Sequence, residues 1–257
     1  MNCVIFGAGG WGTAMAIHLA RQGQTVTLVP RRAEQALALA TSRENKEYLP
    51  GHRLDDSIQI GLEPLPALMD ADLVFLACPS KGLPELLKSI GPAVRGSSTK
   101  MAISLCKGLD LTTLRRPSEM MADAFGSIPV GTLSGPSNAD EVARGLPTAL
   151  VLAAITDDAL LKDVQAVVSG PTLRAYTSTD LIGVEIGGTL KNVYALGAGL
   201  CDGLGLGSNA KAAMLTRSLQ EMARLGEALG ARPETFLGLG GVGDLMATAH
   251  GSWSRNR

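Results

Sequence analysis

The stretch "CVIFGAGGWGTAMAIHLARQG", residues 3–23, decides the fold. An apolar β-branched run passes into Gly7-x-Gly9-x-x-Gly12, and a helical pattern follows at once. Each glycine answers a physical need. Gly7 permits a tight turn, Gly9 lets a pyrophosphate approach the backbone, and Gly12 lets helix and strand pack closely. The start of the helix then offers unpaired N–H groups to phosphate oxygens. The spacing alone is weak, but between a strand and a helix it reads as a dinucleotide site rather than a merely structural turn.

Further apolar runs lie at "TVTLV" (25–29), "DLVFLAC" (72–78), "KMAISLC" (100–106), "VGTLS" (130–134) and "TALVLAA" (148–154). Helical stretches at 12–22, 81–90 and 157–168 separate them, with Pro84 and Asp157 suited to first turns. Such alternation predicts an α/β, Rossmann-like, largely parallel sheet with helices on both faces. From about Thr179 the pattern becomes helical, over 180–200 and 208–230. The second segment repeats Ala213, Leu215, Leu219, Met222, Leu225 and Leu229 at helical spacing, and Gly230 closes it. The expected division is a nucleotide-binding domain over 1–179 and an all-α substrate domain over 180–257.

Lys and Arg (23) nearly balance Asp and Glu (24), so charge gives no reason to expect nucleic acid or an anionic membrane as partner. The four cysteines and three histidines are scattered and include no C-x-x-C pair, which argues against zinc or another bound metal and fits free thiols in a reducing cytoplasm. No stretch has the basic start and apolar core of a signal peptide. The most apolar long segment, 181–200, carries Glu185 and Lys191 and is a poor membrane span. The expectation is a cytoplasmic protein without membrane insertion.

The second strand ends "TLVPRR". An NAD-binding fold places Asp or Glu there, about 20 residues beyond the glycines. Arg31 and Arg32 stand in that loop instead, and no carboxylate appears before Glu34. Two guanidiniums suit a 2′-phosphate, so NADP(H) is favoured over NAD(H); a solvated basic loop is the plainer alternative.

Ligands of such sheets bind beyond the carboxyl ends of the strands. Three ends are unusual: "LACPSKG" (76–82) turns through Pro79, "SLCKG" (104–108) ends on Lys107, and "LSGPSNADE" (133–141) supplies Gly135 and Ser137. Lys107 reads as a phosphate or carbonyl ligand, or as a surface lysine. Ser137 reads as a helix N-cap, a role compatible with anion contact. In "GGTLKNVYALGAG" (187–199) Lys191 stands among apolar residues, where an ammonium is costly to bury unless paired or used. Gly187 and Gly188, one turn earlier, are expected to leave room beside it for a ligand. Asp244, after a run of glycines, reads as a helix cap or as the group that orients this lysine.

These motifs have a collective likeness. "GAGGWGTA" (7–14), "KGL" (107–109), "SGPS" with Ala139 and Glu141, "GLPTAL" (145–150), "GGTLKNVYALGAGLCDGLGLGSNAKAAMLTR" (187–217), "GLGGVGDL" (238–245) and "SRN" (254–256) occur in order. From Asn2 to Arg257 the sequence resembles the NAD(P)-dependent glycerol-3-phosphate dehydrogenases of the bacterial biosynthetic type. That resemblance implies interconversion of dihydroxyacetone phosphate and sn-glycerol 3-phosphate, usually in the reductive direction that supplies phospholipid synthesis. It implies Lys191 as proton donor and acceptor at the substrate C2 oxygen, supported by Lys107, Asp244 and Thr248. It assigns Gly135, Ser137, Ser254, Arg255 and Asn256 to the triose phosphate. Gly10, Trp11, Arg31, Lys107, Ala139 and Arg255 fall to the nucleotide, joined by Arg32 and Pro79 from their strand-end positions.

Two positions depart from the family pattern: Asn138 replaces a common aromatic residue, and Ala249 a common cysteine. Both are expected to adjust packing and leave the chemistry intact. Family members continue through further helices past the position of Arg257, so a shortened helical domain is expected, and a homodimer is left open. Two rival readings stand beside this one: a two-domain reductase of another hydroxy or keto acid, and a non-catalytic nucleotide-binding protein.

Overall fold

The computed structural model of the chain describes residues 1–251. Among the described residues, ten strands and seven α-helices lie between Asn2 and Ser178, and the chain beyond is helical, with three more α-helices. The strands are β1 (Asn2–Phe6), β2 (Thr25–Val29), β3 (Glu44–Asn45), β4 (Leu49–Arg53), β5 (Gln59–Ile60), β6 (Leu73–Leu76), β7 (Met101–Ser104), β8 (Val130–Ser134), β9 (Thr148–Ala154) and β10 (Leu173–Ser178). The helices of the sheet region are α1 (Gly10–Arg21), α2 (Ala33–Ser42), α3 (Pro64–Leu68), α4 (Leu83–Arg95), α5 (Pro117–Phe125), α6 (Ala139–Arg144) and α7 (Asp158–Val168). Then come α8 (Leu181–Gly203), α9 (Gly207–Ala228) and α10 (Asp244–His250).

Eight strands form one sheet in the order β10-β9-β8-β7-β6-β1-β2-β5. All pairs are parallel except β8 with β9, so the expected parallel sheet carries one reversal. Strand β1 explains why its sequence is a continuous apolar run. Ile5 packs into one core cluster with Met15, Leu19, Phe75 and Ile103, while Val4 and Phe6 pack into another with Leu87, Ile90 and Phe125. A strand covered by helices on both faces has no polar side to show. The chain runs from β1 to β2 on one side and later to β6 on the other. This reversal opens a crevice at the carboxyl ends of β1 and β6, where such sheets bind ligands.

The sequence did not announce β10. Leu173 and Ala175 are buried while Arg174 and Tyr176 face outward. That alternation marks a sheet-edge strand with one face open, and it is too polar to stand out beside the fully buried strands. The stripe predicted on α9 also needs correction. Leu215, Ser218, Met222 and Gly226 face the core, whereas Ala213 is exposed and Leu225 and Leu229 are 43% and 50% exposed. Gly230 does end this helix, with φ at +90°.

Helix α8 is the beam of the helical region. Its 23 residues span roughly 34 Å. Asp180 caps it by accepting from the Gly183 amide, and the same carboxylate accepts from the Arg232 amide and the Thr235 hydroxyl. One turn into the helix Glu185 reaches the sheet region, taking bonds from the Ser118 amide at 2.8 Å, the Ser118 hydroxyl at 2.5 Å and Arg116 at 2.9 Å. This clasp fixes where α8 lies over the strand ends.

Candidate active site

At the crevice, Gly7 adopts φ +109°, and a Cβ there would lie 2.6 Å from the Ala77 carbonyl oxygen. A Cβ on Gly12 would fall 2.0 Å from the Gly7 oxygen, so helix and turn interlock only with glycine. Gly9 is the opposite case: a Cβ on it meets nothing within 4 Å, leaving an open approach to the backbone. No side chain caps α1 and no acidic residue stands in its first turn. Its free N–H groups and positive dipole end therefore suit an anion, and the residues present fit a dinucleotide pyrophosphate. Gly10 lies against Tyr48 and Ala139, and Trp11 packs partly buried on the sheet core.

Beside the turn, a cleft of about 320 Å³ is lined by Gly7, Pro30, Arg31, Cys78, Pro79 and Glu85, among others. Arg31 pairs with Glu85 at 3.3 Å and Arg32 with Glu47 at 2.5 Å, all on exposed side chains. Exposed pairs of this kind contribute about 0–1 kcal/mol, so a phosphate can displace the carboxylates at little cost. The carboxylates opposite these arginines, Glu85 and Glu47, were not legible in the sequence, because each comes from a separate segment.

Three distant residues meet beyond the ends of β7 and β8. Lys107 Nζ donates to Asp244 Oδ2 at 2.5 Å and to the Gly135 carbonyl at 3.1 Å. Lys191 Nζ donates to Asp244 Oδ1 at 2.5 Å and to Thr248 Oγ1 at 3.0 Å. Thr248 Oγ1 in turn donates to the Asp244 carbonyl at 2.7 Å. Asp244 is 1% exposed and Lys191 7%. One carboxylate faces two ammoniums, so the cluster carries an excess positive charge in a poorly solvated place. Burial pushes the Lys191 ammonium down to about 8, the Lys107 charge pushes the same way, and Asp244 opposes both. The result is a lysine able to give and take a proton near neutral pH, beside charge that can stabilise an oxyanion.

Several sequence readings change here. Asp244 is not a helix cap, since Gly243 holds that place and both carboxylate oxygens are taken by lysines. Ser137 is not the N-cap of α6. Asn138 accepts from the Glu141 amide, while the Ser137 hydroxyl donates to the Gly135 carbonyl that also receives Lys107. That cap gives the unusual Asn138 a structural role, and Ala249 packs into the helical core at 1% exposure. Gly187 makes room for protein, not for a ligand: a Cβ there would lie 2.2 Å from the Gly240 oxygen. Gly188 faces Ser134 and Lys107. Of the apolar neighbours expected to surround Lys191 on its helix (Leu190, Val193, Ala195 and Leu196), Val193 and Leu196 are 63% and 61% exposed, and it is α10 and Lys107 that cover the ammonium. Sequence reasoning also passed over Ser134, whose buried hydroxyl has no hydrogen-bond partner among the described residues and lies beside Gly188. Ser254, Arg255 and Asn256 lie outside the described residues.

A nucleotide cradle and a lysine that can exchange a proton, gathered at the carboxyl edge of one sheet, are the equipment of a nicotinamide-dependent oxidoreductase. Comparison with known proteins narrows this class. Residues 2–161 match the family described as NAD-dependent glycerol-3-phosphate dehydrogenase N-terminus, and residues 180–257 match its C-terminus. The chain belongs to the NAD-dependent glycerol-3-phosphate dehydrogenase family. It is 49% identical to a glycerol-3-phosphate dehydrogenase [NAD(P)+] of Thermus thermophilus, over all of this chain and 78% of the relative. Among solved structures, glycerol-3-phosphate dehydrogenase from Coxiella burnetii aligns with TM-score 0.93 at 37% identity, covering 99% of this chain and 77% of the other. The Plasmodium falciparum enzyme aligns at TM-score 0.88 and 27% identity, covering 97% and 72%.

Proposed function

We infer that this chain interconverts dihydroxyacetone phosphate and sn-glycerol 3-phosphate with an NAD(P)(H) cofactor. The observation that carries this reading is the Lys107–Asp244–Lys191 cluster at the strand ends, on the same sheet edge as an uncapped glycine turn. When bound, the nicotinamide supplies the hydride and takes it back in the reverse direction. The protein's own residues handle the proton and the charge. Protonated Lys191 gives its proton to the C2 oxygen as that oxygen gains negative charge, and neutral Lys191 removes it in the oxidative direction. Asp244 and Thr248 hold the ammonium in place, and Lys107 adds positive charge near the developing oxyanion.

Residues 1–179 form the nucleotide-binding domain in this reading, and 180–257 the substrate domain. Gly7, Gly9, Gly10, Trp11, Gly12, Pro79 and Ala139 hold the nucleotide, with Arg31 and Arg32 taking the 2′-phosphate and favouring NADP(H). Gly135, Ser137, Ser254, Arg255 and Asn256 hold the triose phosphate. Among the described residues no helix is long and apolar enough to cross a membrane. A cytoplasmic enzyme feeding phospholipid synthesis fits the four free cysteines. A homodimer fits the exposed Val193, Leu196 and Leu200 along α8, and sedimentation of the purified chain tests it. The decisive experiment follows NADPH absorbance after addition of dihydroxyacetone phosphate. Oxidation of NADPH is expected; a folded chain that binds NADPH and gives a flat trace overturns the assignment.

A further inference from the structure

Cys78 and Cys106 stand on neighbouring strand ends at the nucleotide crevice. β6 and β7 pair with Leu76 opposite Ser104, and the same register carried two places on sets Cys78 opposite Cys106. The sulfurs lie 3.8 Å apart, and the Cys106 thiol donates to the carbonyls of Cys78 at 2.9 Å and Leu76 at 3.3 Å. Both residues are free thiols. Neighbouring strands run about 4.8 Å apart, inside the Cα separation of about 4.4–6.8 Å that a disulfide spans. An S–S bond of about 2.05 Å asks the two sulfurs to approach by roughly 1.8 Å.

The two thiols are unequal in a useful way. Cys78 is partly exposed and lines the cleft with Gly7 and Arg31, whereas Cys106 is buried beneath it. The hydrogen bond with Cys106 lowers the Cys78 thiol below its ordinary value, and the Arg31 charge assists against burial. The interaction with Cys78 and burial hold Cys106 well above its own. An accessible, more acidic thiol beside a buried partner is the arrangement of an attacking and a resolving cysteine.

We propose that Cys78 and Cys106 are a modification site, a dithiol that hydroperoxides convert to a disulfide and that disables the nucleotide site when closed. The Cys78 sulfur attacks one peroxide oxygen and the O–O bond breaks. The departing oxygen takes the Cys78 proton and leaves, as water when the oxidant is hydrogen peroxide, with Cys78 left as a sulfenic acid. Cys106 sulfur then attacks the Cys78 sulfur and expels its hydroxyl, which takes the Cys106 proton and leaves as a second water. One peroxide is reduced and two thiols are oxidised to one disulfide.

Closure reaches both halves of the site. A Cβ on Gly7 would sit 2.6 Å from the Ala77 oxygen and 3.1 Å from the Cys78 amide nitrogen, so the nucleotide turn rests directly on the strand end that must shift. Cys106 immediately precedes Lys107. A misplacement of about 1 Å at reacting groups can cost about 100-fold in rate. This consequence rests on the nucleotide reading given above; formation of the disulfide does not.

The test treats the purified, reduced chain with hydrogen peroxide, maps disulfides by mass spectrometry and titrates NADPH before and after. The expected result is a Cys78–Cys106 linked peptide and NADPH affinity lowered by about tenfold or more, restored by dithiothreitol. Prior saturation with NADPH is expected to slow the linkage. Cys106→Ser is expected to stop at a Cys78 sulfenic acid that dimedone traps. Absence of the linked peptide overturns the proposal, as does a linked chain that binds NADPH like the reduced one. A reduced chain that binds no nucleotide at all overturns the nucleotide reading instead, while the linked peptide still reports on the dithiol.

Discussion

Two carboxylates are buried where the helical region meets the sheet, and they do different work. Glu185 is 5% exposed and is held by a backbone amide, a hydroxyl and a guanidinium. Asp244 is 1% exposed and is held by two lysine ammoniums. None of Glu185's partners releases a proton near neutral pH, because an arginine stays charged and a serine neutral. Asp244's partners are amines, and one of them is already pushed down to about 8. Equal burial thus gives a clasp in one place and a proton-handling site in the other. What decides is whether the partner titrates.

The largest effect is expected at the titrating partner. Lys191→Ala should lower kcat for dihydroxyacetone phosphate reduction by about 10²–10⁴-fold and leave NADPH affinity nearly intact. Stopped-flow turnover and nucleotide titration check this, and a near-native rate removes Lys191 from the chemistry. At the clasp, Glu185→Ala takes the acceptor from the buried Ser118 amide and hydroxyl and leaves Arg116 paired with Glu119 alone, and should cost about 1–3 kcal/mol of stability in denaturant unfolding. An unchanged midpoint would show that Glu185 fastens nothing.

The pH profile sharpens the contrast. Reduction needs protonated Lys191, so its rate should fall about tenfold per pH unit above about 8, while the oxidative rate rises through the same value. Asp244→Asn removes the group that supports the ammonium, so the reductive limb should move below about 8; Glu185→Gln should leave it in place. If both variants shift the limb alike, the two carboxylates are not distinct in the way described. Stability carries the same signature. Folded Lys191 releases its proton near 8 and the unfolded chain near 10.5, so this residue's contribution to stability should rise with pH across that window.

The smallest effect is expected far from both carboxylates. Replacing Arg31 and Arg32 together by alanine should weaken NADPH by several-fold, at about 1 kcal/mol, and NADH by less. Equal losses for both nucleotides would remove the 2′-phosphate from this loop.

The sequence was most informative where a feature is local. Gly7, Gly9 and Gly12 fall within six consecutive residues, and their turn follows from what backbone without Cβ can do. The strands at 25–29, 130–134 and 148–154 were legible to the residue because apolar β-branched runs end in turns. Edge strand β10 was missed, because its outer residues face solvent and dilute the apolar signal. Around the site, Lys107 alone reads as a surface lysine and Asp244 alone as a cap. Only the family likeness joined them.

The sequence by itself therefore determined an α/β sheet with a dinucleotide turn, two long helices after residue 179, and a lysine that needed a reason to sit in an apolar helix. The tertiary structure decided what that reason is. Lys107 and Asp244 are 137 positions apart, and Asp244 and Lys191 are 53 apart. Periodicity reports which face of an element is buried, not which distant element covers it. The partner of a buried charge is fixed only when the sheet reversal, the Glu185 clasp and the turn before α10 bring a strand end, a helix start and the middle of α8 to one point.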